Sequence, residues 1–157
     1  MKILYVYGMS TLKDIVYNLR KLGYKIEEYP HRQENSVLND EEIEKLTMYI
    51  RKHRITHLMS THLIYNLAVA AYKTAVKYVS VIWDAPYLKI YTPFGRLDNC
   101  WFSVFDKLDC ERFHADGIPH VLYQPLAVNK YDVLKWDVKR KLGGKYPESV
   151  KLNYYEP

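Results

Sequence analysis

Five polar residues follow apolar stretches of the sequence, and their side chains are the first candidates for chemistry. They are Ser10, Thr61, His62, Asp84 and Asp106. The carboxyl ends of parallel strands meet at one edge of an α/β sheet, and ligands bind at that edge. We therefore expect these side chains to surround a common site.

Most of these residues also have a structural interpretation. Ser10, Thr61 and Asp106 each precede a predicted helix, where a short polar side chain caps free amide groups. His62 is interpreted as a surface or capping histidine. Asp84 differs because a proline-containing loop, and not a helix, follows it. For Asp84 a functional role and a turn role both stay open.

The stretch around Asp84 is the centre of the predicted fold. Residues 79–83 form an apolar, β-branched and aromatic run, which is typical of a parallel strand covered on both faces. Trp83 and Tyr87 flank the acid. We interpret both rings as core and loop packing, with a sugar-stacking platform as the alternative.

Six such apolar segments alternate with helical patterns along the chain. The predicted strands are residues 2–7, 24–29, 56–60, 78–83, 100–105 and 120–123. This order predicts an α/β fold, a doubly wound, Rossmann-like, mostly parallel six-stranded sheet with helices on both faces. A reversal after the third strand gives the order 3-2-1-4-5-6. The ligand crevice then lies between strands one and four, with Gly8 and Ser10 on one lip and Asp84 on the other.

Composition limits the function classes. The chain has 157 residues, 48% of them hydrophobic, and a net charge of +5, most of it in the tail, so a basic nucleic-acid-binding stripe is not expected. No apolar run approaches the length of a membrane span, and we predict a cytoplasmic protein. The six histidines lack metal-ligand spacing, so no metal is expected. Cys100 and Cys110 are predicted to be buried, reduced thiols.

The familiar phosphate-binding and nucleophile motifs are missing from the sequence. After the first strand the chain has a single glycine, Gly8, where a dinucleotide site needs G-x-G-x-x-G. A Walker loop and a G-x-S-x-G elbow are also absent. A receiver domain would need acids after the first and third strands, and the sequence places none there. We therefore expect no bound cofactor.

Two segments of the sequence carry a family resemblance. They are VSVIWDAPYL at 79–88 and CWFSVFDKLDCERFHADGIPHVLYQPLAVN at 100–129. A strand ending in W-D-x-P, a strand ending in F-D before a helix, a stop at D-G-I and a closing Y-x-P-L-A-V-N resemble an uncharacterised bacterial domain family. That family forms the N-terminal domain of CgeB-like, group 1-type glycosyltransferases.

The resemblance implies a GT-B glycosyltransferase, in which two Rossmann-like domains face each other across a cleft. In that fold the N-terminal domain binds the acceptor, which is a glycan, a protein or a small molecule, and the C-terminal domain holds the nucleotide-sugar. If the enzyme inverts the sugar, the base is expected from this half, with Asp84 and then His62 as candidates. The acceptor-binding residues are then expected to be Gly8, Ser10, Thr61, Trp83, Tyr87 and Asp106.

The same resemblance implies a division of the chain. Residues 1–129 are predicted to form the acceptor-side domain, and residues 130–157 a linker helix and tail. No second series of strands and helices follows, so the donor-binding domain is expected to be missing and the isolated chain to be inactive. The alternatives are a stand-alone α/β ligand- or nucleotide-binding module without catalysis, and an independent small-molecule enzyme.

Overall fold

The computed structural model describes residues 1–7, 13–30 and 37–125 of the chain. These residues form an α/β fold around one six-stranded sheet in which all paired strands are parallel, as the sequence predicts. The strands are β1 Lys2–Tyr7, β2 Lys25–Pro30, β3 His57–Thr61, β4 Lys77–Ile82, β5 Cys100–Val104 and β6 Val121–Tyr123. Gly8, Ser10, the predicted boundary at residue 129 and the tail 130–157 lie outside the described residues, and what was expected of them stays a prediction.

The strand order is 2-1-3-4-5-6, so the predicted order 3-2-1-4-5-6 is wrong. That order would have placed β2 inside the sheet. β2 carries Lys25, Glu27 and Glu28 and ends at Pro30, a residue that cannot donate to a ladder and is confined to edges. The apolar strand β1 takes the inner place between β2 and β3, and its Leu4 is completely buried.

The new order moves the expected ligand crevice. β3 lies between β1 and β4, so those two strands are not neighbours and the crevice predicted between them does not form. In a sheet of this order the strand connections reverse direction between β1 and β3. The carboxyl end of β3, with Thr61, is therefore the place where a ligand is expected.

Four α-helices of the described residues cover the sheet, one on the first face and three on the second. α1 (Lys13–Lys21) packs on the first face, where Val16 joins a small cluster with Tyr5 and Met59. The other three helices pack their apolar residues on the second face; they are α2 Asp40–Lys52, α3 Tyr65–Thr74 and α4 Lys107–Ala115. β4 accordingly buries Tyr78, Ser80 and Ile82 fully and its other face only partly, whereas the sequence predicted cover on both faces. No helix in the described part of the chain is long and apolar enough to cross a bilayer.

The segment from Trp83 to Asn99, called the β4–β5 connection below, includes the proline-containing stretch after Asp84 that the sequence predicts to be a loop, but it has regular structure. It contains two 3₁₀-helices, Leu88–Tyr91 and Pro93–Arg96, and it packs in the core on the second face through the fully buried Ile90. A Cβ on Gly95 would lie 1.7 Å from the carbonyl oxygen of Ile90, so only glycine allows this close backbone approach. The connection thus takes the place of a crossover α-helix.

Candidate functional site

The two residues predicted to be catalytic lie together at the carboxyl edge of the sheet. β3 and β4 are parallel neighbours, and the amide of His62 donates to the carbonyl of Val81 at 2.9 Å. This pairing places His62 level with the end of β4, two residues before Asp84. The distance from His62 Nε2 to Asp84 Oδ2 is 3.7 Å, which is within ion-pair range and too long for a direct hydrogen bond.

His62 has an uncommon backbone conformation. Its φ is +58°, in the left-handed region that costs a residue with a Cβ about 1–3 kcal/mol. Arg54 and Ala75 also have positive φ, but both follow helices, where a left-handed residue is a common way to end the helix. His62 follows a strand, and strain of this kind is concentrated at functional sites.

A set of hydroxyl groups bonds the backbone from the carbonyl of His62 to the amide of Ile64. Ser60 Oγ lies 2.7 Å and the Tyr78 hydroxyl 3.2 Å from the carbonyl oxygen of His62, and the two hydroxyls are 2.6 Å apart. One of them therefore donates to the carbonyl while the other donates to its neighbour. The amides of Leu63 and Ile64 donate to the hydroxyls of Tyr87 and Tyr78, each at 3.0 Å.

The environment of His62 keeps its imidazole neutral. Burial lowers the pKa of His62, the negative charge of Asp84 opposes that effect, and the positive charge of Lys89 adds to it. The Nδ1 atom is buried and has no hydrogen-bond partner among the described residues. The side chain of Asp84 is 74% exposed, so a solute can reach the pair from the solvent side.

Thr61 and Asp106, both predicted to be caps, have different roles. Thr61 Oγ1 is buried without a hydrogen-bond partner in the described residues, so the capping interpretation of Thr61 is wrong. Buried hydroxyls are nearly always paired, and an unpaired one needs an explanation such as water or a ligand. The carboxyl of Asp106 accepts from the amide of Asp109 at 2.9 Å at the start of α4, so Asp106 caps that helix as predicted.

The two aromatic residues that flank Asp84 have separate environments. Tyr87 is buried, and its ring centroid lies 5.4 Å from that of His62. Burial raises the pKa of Tyr87 to about 12, so its hydroxyl stays protonated. Tyr87 is therefore a packing residue, as predicted. Trp83, the chain neighbour of Asp84, is 37% exposed.

Sequence reasoning missed Ser60 and Tyr78 as parts of this site. Both lie inside strands and are completely buried. A signal existed, because a buried hydroxyl within an otherwise apolar strand must find a hydrogen-bond partner close by. The sequence could not tell that this partner is the backbone around His62, since that requires the pairing of β3 with β4.

Comparison with known proteins adds no assignment to this geometry. Within the described residues, no group of three His, Cys, Asp or Glu side chains is arranged to hold a metal ion. Cys100 and Cys110 are buried and unpaired, as predicted. No protein-family model matches the chain, and a search of curated proteins finds no match.

Proposed function

We propose that this chain is the acceptor-binding half of a GT-B glycosyltransferase, which transfers a sugar from a nucleotide-sugar to an acceptor hydroxyl. The C-terminal domain of the two-domain parent enzyme would hold the nucleotide-sugar. The observation that carries the proposal is the His62–Asp84 pair, 3.7 Å apart at the carboxyl edge of an open parallel sheet. The resemblance of residues 79–88 and 100–129 to the N-terminal domains of such enzymes supports it.

In this proposal His62 is the base and Asp84 assists it. A hydroxyl that attacks a sugar must give up its proton, and a neutral imidazole with a lowered pKa is free to accept it. Asp84 then stabilises the imidazolium that forms. This assignment reverses the order of candidates that the sequence favours, because Asp84 is largely exposed whereas His62 is mostly buried and oriented by its backbone.

The acceptor would contact Trp83 and Thr61, each of which is the chain neighbour of one member of the pair. Trp83 offers a partly exposed indole, and aromatic faces bind the apolar faces of sugars. Thr61 offers a buried hydroxyl without a partner in the described residues, at the carboxyl end of β3. An acceptor or its water could satisfy Thr61 Oγ1 and His62 Nδ1, which are two of the five buried side-chain polar atoms without a partner in the described residues.

Two measurements test the proposal. The isolated chain is expected to bind glycans on a microarray and to show no binding of UDP-glucose by titration calorimetry. In the enzyme that pairs this domain with a donor-binding domain, His62→Gln should lower turnover by about 10²–10⁴. Asp84→Asn should lower it less, and Asp98→Asn, an exposed acid in the same connection, should leave it unchanged. Unchanged turnover in His62→Gln would remove His62 from the role of base.

The alternative is a stand-alone module that binds a ligand without catalysis, which the unpaired polar atoms would serve equally well. The amides of Leu63 and Ile64, just before α3, already donate to tyrosine hydroxyls, so a phosphate bound by such a module would have to contact other groups. Tight binding of UDP-glucose or ATP by this chain alone would favour the module and contradict the acceptor role.

A further inference from the structure

The conformation of His62 requires an explanation that the helix α3 does not supply. Helices are usually capped by the side chain of the residue before them, but the residue at that position is Ile64, which has no polar side chain. The groups that bond the backbone here come instead from β3, from β4 and from the β4–β5 connection. They are Ser60, Tyr78 and Tyr87, and we call them the hydroxyl clamp.

We infer that the hydroxyl clamp is a positioning device, which holds the His62 backbone in its left-handed conformation and so keeps the imidazole beside Asp84. Every backbone polar group from the amide of His62 to the amide of Ile64, the carbonyl of Leu63 aside, has a named partner. The His62 amide donates to Val81, its carbonyl accepts from the Ser60–Tyr78 pair, and the next two amides donate to the tyrosines. A strained residue persists only when its surroundings fix it in this way.

The chain path explains why tyrosines perform this task. Tyr78 begins in β4, and its fully buried ring extends beneath the turn after β3, where a shorter polar side chain from the same strand would not reach. Tyr87 belongs to the β4–β5 connection, the segment that also carries Asp84. One segment therefore fixes the position of the carboxylate and, through the Tyr87 hydroxyl, the backbone next to the imidazole.

The term positioning residue rests on the function proposed above, whereas the conformational statement does not. The test therefore uses the free chain and no sugar, so that it can fail or succeed independently of acceptor binding. The variants are Tyr78→Phe and Tyr87→Phe, which remove one hydroxyl each. Tyr49→Phe is the matched control, because the Tyr49 hydroxyl donates to Glu27 at 2.9 Å and lies between α2 and β2.

The measurement is NMR of the full chain with labelled histidine, in which His62→Gln identifies the His62 signals. In both clamp variants the apparent pKa of His62 is expected to rise toward about 6.5, as the ring loses its buried position. The three-bond HN–Hα coupling of His62 should move away from its left-handed value. Tyr49→Phe should leave both quantities at their wild-type values, even where it lowers the melting temperature.

The inference is overturned if the clamp variants keep the wild-type titration and coupling of His62, since the hydroxyls would then serve stability alone. It is equally overturned if Tyr49→Phe shifts His62 as much as they do. If Tyr78→Phe fails to fold, Ser60→Ala takes its place beside Tyr87→Phe, because Ser60 bonds the same carbonyl of His62. The pKa and the coupling of His62 are then measured in these two variants, and the same outcomes decide the inference.

Discussion

Replacing His62 by glycine and by alanine separates the chemistry of this residue from its backbone strain. Both substitutions remove the imidazole and its packing on Tyr87. Only the glycine variant also removes the cost of a Cβ at a φ of +58°. The difference between the two variants therefore measures the strain that the site maintains.

The expected size of that difference follows from two opposing effects. A left-handed conformation costs a non-glycine residue about 1–3 kcal/mol. Glycine offsets about 0.5–1 kcal/mol of this gain, because an unfolded chain with glycine at this position loses more conformational freedom on folding. We therefore expect the free energy of unfolding of His62→Gly to exceed that of His62→Ala by about 1 kcal/mol, or about 3 °C in melting temperature for a chain of this length.

Urea denaturation followed by circular dichroism measures both variants on one scale. The matched control is the pair Tyr72→Ala and Tyr72→Gly, at an exposed position in α3. There the order should invert, with alanine more stable than glycine by about 1 kcal/mol, because glycine is a poor helix former. If His62→Ala is as stable as His62→Gly or more stable, the turn carries no strain and the reasoning about the site is wrong.

Two further predictions concern the scaffold. Gly95→Ala should lower the free energy of unfolding by about 3 kcal/mol, since the new Cβ would lie 1.7 Å from the carbonyl oxygen of Ile90. The control is Gly23→Ala, which has open space around it and a φ of +85° and should cost only about 1 kcal/mol. Equal losses of stability in thermal melts of the two variants would refute the predicted clash at Gly95. The hydrogen bond and charge of Lys2 hold the pKa of Glu27 below its usual 4.5, so this carboxylate stabilises the fold above that pH and the benefit is lost as the pH falls through the lower, folded-state pKa. Glu27→Gln should therefore lower the free energy of unfolding at pH 7 and make that free energy fall less steeply as the pH is lowered. Urea denaturation at a series of pH values measures this, and the same slope in acid for variant and wild type would contradict it.

The sequence predicts the elements of this fold well and their arrangement less well. The alternation of apolar strands and helical patterns is local information, and it leads directly to a parallel α/β sheet. Strand order is not local. Yet the charges and the proline of β2 were readable from the sequence as signs of an edge strand, and the predicted order ignored them.

The candidate site shows the same division between local and long-range information. Asp106 and Asn39 cap their helices as their positions indicate, because capping depends on residues three apart. The approach of His62 to Asp84 was expected from the strand ends. The roles of Tyr78 and Tyr87 were not, since they depend on which rings extend beneath a neighbouring strand's turn.

The composition of β2 also protects the protein from association through its sheet. An incoming strand would have to pair along a border that carries Lys25, Glu27 and Glu28 and that ends in a proline without an N–H donor. The opposite border, β6, offers only the three residues Val121–Tyr123 as a template. Of the residues that the structure describes, neither margin suits intermolecular strand addition, so we expect no partner to extend the sheet at these edges.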